Sequence, residues 1–185
     1  EYLVLVMGAA LGMFVFIAAS LYGGSLFLGS LALLLALIAT VLGWLWRRQP
    51  TRHIYLAAML ISAAGFHGVT FGGVLPGLSD FHLAPRIKAE LANKDLLDRP
   101  IAVAGYHEPS LVFALGQDVM LFTADQAAVY LAEANDNIAI IEDKSAPLFL
   151  DTLGRLDVSI IQDVAIEGYN YSRGQWVRMV IYRRQ

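Results

Sequence analysis

The sequence predicts a membrane α-helical segment of three transmembrane helices followed by a soluble α/β domain, with a mostly parallel sheet and a C-terminal β-hairpin. Three observations predict it. Residues 3–21, 26–46 and 54–75 contain no Asp, Glu, Lys or Arg. Charges return after residue 75, where ten Lys or Arg and fifteen Asp or Glu give an ordinary, slightly acidic composition. Within that second part short apolar runs alternate with amphipathic ones, and two longer alternating runs come last.

A helix needs about 20 mostly apolar residues to cross the hydrocarbon core, at about 1.5 Å of rise each. Each charge-free stretch has that length, whereas a soluble helix of this length carries a charged face. Residues 1–76 are therefore read as three spans, at 3–21, 26–46 and 54–75. The first two are joined by the uncharged Tyr22-Gly23-Gly24-Ser25, and the second and third by Arg47-Arg48-Gln49-Pro50-Thr51-Arg52-His53. Positive residues near span ends favour the cytoplasmic side, and Trp44, Trp46 and Tyr55 flank this basic loop as interfacial aromatics do. The expected topology is a multi-pass protein of the inner (plasma) membrane with residues 47–53 in the cytoplasm and an extracytoplasmic (periplasmic) C-terminal domain. Glu1 is followed almost at once by an apolar run with no basic start. It is read as a cut into a longer membrane protein.

Two spans carry small residues four apart, Gly8 with Gly12 and Gly68 with Gly72. Such pairs let helices approach closely, although Gly is also common in membrane helices. His67 is the one ionisable side chain in mid-span. It is a functional candidate by its position, or a neutral His bonded to a neighbouring helix.

Pro76-Gly77 ends the third span. Residues 77–99 read as a connector with a helix over Ala84–Asn93, and residues 100–185 as the α/β domain. Ile101–Gly105 is a short buried strand. Pro109–Leu115 is a helix with Pro at its first turn and Gly116 at its end. Val119–Phe122 is a strand, and Thr123 caps a helix over about Asp125–Glu133. Asn137–Ile141 is a strand, and Ala146–Leu153 a helix ended by Gly154. The runs Asp157–Tyr171 and Gln175–Tyr182, joined around Ser172-Arg173-Gly174, read as the hairpin. Strands alternating with helices predict the parallel sheet, with the antiparallel pair at one edge.

Several classes are excluded. The absence of cysteine removes disulfides and thiolate metal sites. The acidic balance gives no footprint for nucleic acid. No glycine-rich phosphate loop, nucleophile elbow or paired His at metal-ligand spacing occurs, so no metal and no cofactor is expected, and no residue is assigned as catalytic. The candidate substrate-binding residues are Tyr106, His107, Glu108 and Ser110, which follow a strand and open a helix. Ligands of open α/β sheets bind at such carboxyl ends, and a helix N-terminus can receive an anion. The local alternative is that Glu108 and Ser110 cap the helix. A second segment, Tyr169 to Trp176, is rich in aromatic and polar groups, which suit a sugar or simply a turn.

These two segments carry a family resemblance. Gly105-Tyr106-His107-Glu108-Pro109-Ser110-Leu111-Val112-Phe113, with Leu115-Gly116, resembles the EPSLVF-type motif of bacterial family 39 glycosyltransferases. These are the relatives of lipid A aminoarabinose transferase and of protein mannosyltransferases. Gly168 to Val177, with Tyr182-Arg183, resembles the end of the same proteins. The resemblance implies a many-span GT-C enzyme that moves a sugar from a polyprenyl-phosphate donor to a lipid or protein acceptor at the outer membrane face. It implies as partners the bilayer, the donor and the remainder of the polypeptide. The family's catalytic acidic residues lie in a first large external loop that this sequence does not include, so the fragment alone is expected to be inactive. The residues themselves also fit another class, a membrane-anchored non-catalytic module for binding or assembly.

Overall fold

The computed structural model describes residues 2–49, 52–116 and 119–185. The start at Glu1 and the Pro50-Thr51 centre of the basic loop, both used in the sequence reading, lie outside the described residues. The chain divides into two compact units, residues 1–80 and 81–185.

The first unit contains three helices long and apolar enough to cross a membrane: α1 (Tyr2–Leu21), α2 (Leu26–Arg48) and α3 (His53–Val69), the last prolonged by a π-helical turn over Thr70–Val74. Ser25 caps α2 by accepting from the Leu28 N–H, and Arg48 lies 4.1 Å over the Trp44 ring. Small residues make the α1–α2 seam. A Cβ at Gly12 would stand 2.9 Å from the Ala36 Cβ, one at Gly29 would stand 3.0 Å from the Ala19 Cβ, and one at Gly8 would collide with Thr40. The Gly8–Gly12 pair therefore serves close approach. Gly68 and Gly72 have no neighbour within 4 Å of such a position. His67 Nδ1 is 2.8 Å from the Ala63 carbonyl oxygen, one turn back on its own helix.

The second unit is a five-stranded mixed sheet with helices on both faces. Its elements are α4 (Leu83–Asn93), β1 (Ile101–Ala104), α5 (Pro109–Leu115), β2 (Met120–Phe122), α6 (Ala124–Glu133), β3 (Ile138–Glu142), α7 (Ala146–Arg155), β4 (Ile160–Asn170) and β5 (Gln175–Arg184). Strand order is β2-β1-β3-β5-β4. Thr123 and Gln126 form a reciprocal capping box at the start of α6. Gly154 does not end α7, which continues to Arg155.

The expectation of a mostly parallel sheet is corrected. β1 pairs in parallel with β2 and β3, but β5 is antiparallel to both β3 and β4. The antiparallel ladders are also the longer ones, with five and ten residue pairs against three and four. The physical reason lies in β5. Only four residues separate it from β4, so it must reverse direction, and its face of Val177, Met179 and Ile181 is apolar enough to dock beside β3 in the core. The C-terminal pair thus extends the sheet from the β3 side.

Two cores result. On one face α4 and α5 bring Leu83, Ile87, Leu91 and Leu111 against Ile101, Val103, Ile138, Ile140, Met179 and Ile181. On the other, α6 and α7 bring Ala127, Ala128, Leu131, Phe149 and Leu153 against Ala102, Ala104, Ala139, Ile141, Val180 and Tyr182. Alanines on both sides of this second interface let α6 lie close to the sheet. The helix read as part of a connector is a full member of the first core, with Ile87 and Leu91 fully buried.

Candidate functional site

The chain runs from β1 outward to β2, then crosses back over β1 to β3, so strand order reverses between β1 and β3. Crevices at such a switch point, at the carboxyl ends of the strands, are where open α/β sheets hold ligands. Here those ends are Gly105 after β1 and Glu142 at the close of β3. Gly105 has φ +88°, and a Cβ there would stand 2.7 Å from the Glu142 Cβ, so the position requires glycine twice over.

The four residues predicted from sequence follow Gly105, and the structure sends them in different directions. Tyr106 is buried and lines a cavity of about 670 Å³ with Phe81, His82, Ser110, Phe113 and Tyr171. Burial, and next the Glu108 carboxylate, push its phenol above the ordinary tyrosine value, while a hydrogen bond with Ser110 and the charge of Arg173 pull it down. Ser110 is thus on the same cavity as Tyr106. His107 is exposed and lines a separate, mostly apolar cavity of about 560 Å³ with Pro109, Val112, Phe113 and Leu121.

Glu108 occupies the N-cap position of α5, but its side chain makes no capping bond. The local reading of Glu108 as a side-chain cap is therefore corrected. Its Oε1 accepts from Asn170 Nδ2 at 3.1 Å and from the Ser172 hydroxyl. Asn170 is only 2% exposed. Its Oδ1 accepts from the Ser172 N–H at 3.0 Å and the Arg173 N–H at 3.1 Å, and lies 2.8 Å from the Ser172 hydroxyl oxygen, whose single proton it shares with Glu108. One asparagine thus folds the connection between β4 and β5 and ties it to the loop after β1, 62 residues earlier. Arg173 continues the link. Its guanidinium donates to Glu142 Oε2 at 3.2 Å and to the Gly105 carbonyl at 3.3 Å, so it spans the switch-point crevice. Lys144 takes the other oxygen of the buried Glu142 carboxylate at 2.7 Å. A buried carboxylate without such partners would be strongly unfavourable.

The sequence reading missed Asn170, Arg173 and Glu142 as members of this assembly. Asn170 had a signal: an Asn two residues before a Ser-Arg-Gly turn suits a side chain that accepts from turn amides. Nothing in the sequence identified the partners across the crevice. Among the described residues no group of three or more His, Asp or Glu side chains could hold a metal ion. No protein-family model matches the chain, and no curated protein and no solved structure is similar to it at a significant level.

Proposed function

We propose that this chain is the C-terminal part of an integral-membrane glycosyltransferase. In this reading it helps move a sugar from a polyprenyl-phosphate donor to a lipid or protein acceptor at the outer face of the inner membrane. The basic loop faces the cytoplasm, the α/β unit lies on the opposite side, and the catalytic acidic residues belong to a segment this sequence does not include. One observation supports the reading best. The two segments that carry the family resemblance are distant in sequence but are joined by the Glu108–Asn170–Ser172 bonds. Such a joint gives both motifs one structural purpose, a shaped end of the domain over which polar substrate groups can pass.

The test has two parts. Phosphatase fusions after Ser25 and after Gln185 should be active, and a fusion after Gln49 inactive. The complete polypeptide should transfer sugar from a polyprenyl-phosphate donor, and Glu108→Gln should lower that transfer more than about tenfold with the melting midpoint unchanged. Reversed fusion signals, or no transfer by the complete polypeptide, overturn the proposal.

The binding or assembly module remains the second reading, and a specific observation favours it. The most buried acidic groups are spent on ion pairs: Glu142 with Lys144 and Arg173, and Asp163 with Arg183 at 2.6 Å and Lys94 at 3.8 Å. Upstream coding sequence separates the readings, since a transferase needs further spans and an acidic pair in a long external loop.

A further inference from the structure

A different cavity carries a further inference. It has a volume of about 570 Å³ and is walled by residues of the β3 end, Asp143 and Lys144, and of the β4–β5 pair, Glu167, Gln175, Trp176 and Arg178. Gln175 and Trp176 belong to the aromatic segment that the sequence offered for a sugar; Asp143, Lys144, Glu167 and Arg178 had no predicted role. The cavity adjoins the switch-point crevice at Glu142, which lines it and pairs with Arg173, and its volume falls in the range of small-molecule sites.

Its chemistry is specific. Trp176 is 54% exposed and stands edge-on to Tyr169, with ring centroids 5.7 Å apart at 76°. The indole thus touches the Tyr169 ring and stays more than half exposed. Beside it runs a row of alternating charge, Asp143–Arg178–Glu167. Arg178 pairs with Asp143 at 3.6 Å and with Glu167 at 3.9 Å, and all three side chains are at least 45% exposed, which leaves polar atoms within reach of a ligand. Planar carboxylate and guanidinium groups bind adjacent hydroxyls in pairs, and an aromatic face packs against the axial C–H groups of a pyranose. The near balance of acidic and basic groups disfavours a phosphate or nucleotide, and the charged side chains disfavour an acyl chain.

We propose that this cavity is a saccharide-binding subsite in which a neutral pyranose ring stacks on Trp176 and its hydroxyls bond to Asp143, Glu167 and Arg178. The subsite goes beyond the transferase reading, because a non-catalytic module would use it equally. It is tested on the full chain in lipid nanodiscs by saturation-transfer NMR. The probes are the methyl pyranosides of glucose, mannose, galactose and N-acetylglucosamine at about 10 mM, suited to a dissociation constant near 1 mM. At least one probe should receive saturation, strongest on its axial C–H face. Trp176→Ala should weaken that binding at least about tenfold, and Trp176→Phe should retain part of it. Arg178→Gln, at an exposed strand position, is the second arm and should also weaken it, with circular dichroism showing an unchanged fold. No saturation in any probe, or equal saturation in wild type, Trp176→Ala and Arg178→Gln, overturns the subsite. Because binding is read without turnover, bound sugar with no transfer by the complete polypeptide would sink only the transferase reading. Transfer without binding here would sink only the subsite.

Discussion

Deleting residues 81–99 removes α4 from the second unit and tests how that unit is built. Leu83, Ile87, Leu91 and Leu96 are each at most 4% exposed and face the core formed with β1, β3 and β5. Burying a side chain of this size is worth about 1.5–3 kcal/mol, so the four together contribute about 6–12 kcal/mol. Part of that surface is already buried in the unfolded chain, which makes this an upper figure. A whole domain is stable by only about 5–15 kcal/mol. The deletion should therefore remove most or all of the stability. The assay compares two soluble fragments, residues 81–185 and residues 100–185, by thermal melting followed in near- and far-ultraviolet circular dichroism. The longer should melt cooperatively, and the shorter should lack fixed aromatic signals and a cooperative transition. Within the longer fragment Ile87→Ala should cost about 2–5 kcal/mol. If residues 100–185 melt cooperatively within about 5 °C of the longer fragment, a shift worth roughly 1 kcal/mol, α4 is a connector and the core assignment is wrong.

Two further outcomes follow from the joint at the switch point. Asn170→Ala leaves the Ser172 and Arg173 amides without their acceptor and Glu108 with only the Ser172 hydroxyl, at about 2–4 kcal/mol in all; a double-mutant cycle with Glu108→Ala should give a coupling of about 1–3 kcal/mol, and a coupling under about 0.5 kcal/mol would mean the two side chains do not interact in solution. Tyr106 holds its proton more tightly in the folded state, chiefly through burial, so its contribution is complete below the unfolded value near pH 10 and is lost as pH rises through the raised folded value. Tyr106→Phe should flatten the fall of the melting midpoint above about pH 10, leaving the residual slope of the similarly raised Tyr130 and Tyr182, and an unchanged slope would refute the assignment.

The local elements were legible because each is set by residues close in sequence. Charge-free stretches marked α1 to α3, Pro109 and Gly116 marked the ends of α5, and Thr123 marked the start of α6. Sheet order was not legible. Whether β4 or β5 docks beside β3 depends on how two apolar faces fit a third strand, and nothing local to residues 160–184 decides that. The candidate site was half legible for the same reason. The sequence drew attention to both the Tyr106–Ser110 loop and the Tyr169–Trp176 segment, yet the bonds that join them cross from one end of the domain sequence to the other. The cap alternative for Glu108 failed because its backbone position suits a cap while its carboxylate finds a buried amide to accept from.

The interior position of β5 also bears on biosynthesis. It is the last strand in chain order but lies between β3 and β4 in the sheet. Until residues 175–184 emerge, β3 presents its edge, Ile138 to Glu142, with no neighbour on that side. A row of unpaired backbone groups beside isoleucines is a template for pairing with another chain. The nascent domain therefore passes through a stage in which its most buried strand is its most adhesive one. A premature stop between residues 160 and 175 would hold it there, so such truncated products should be cleared by proteolysis or aggregate rather than persist as a slightly shortened domain.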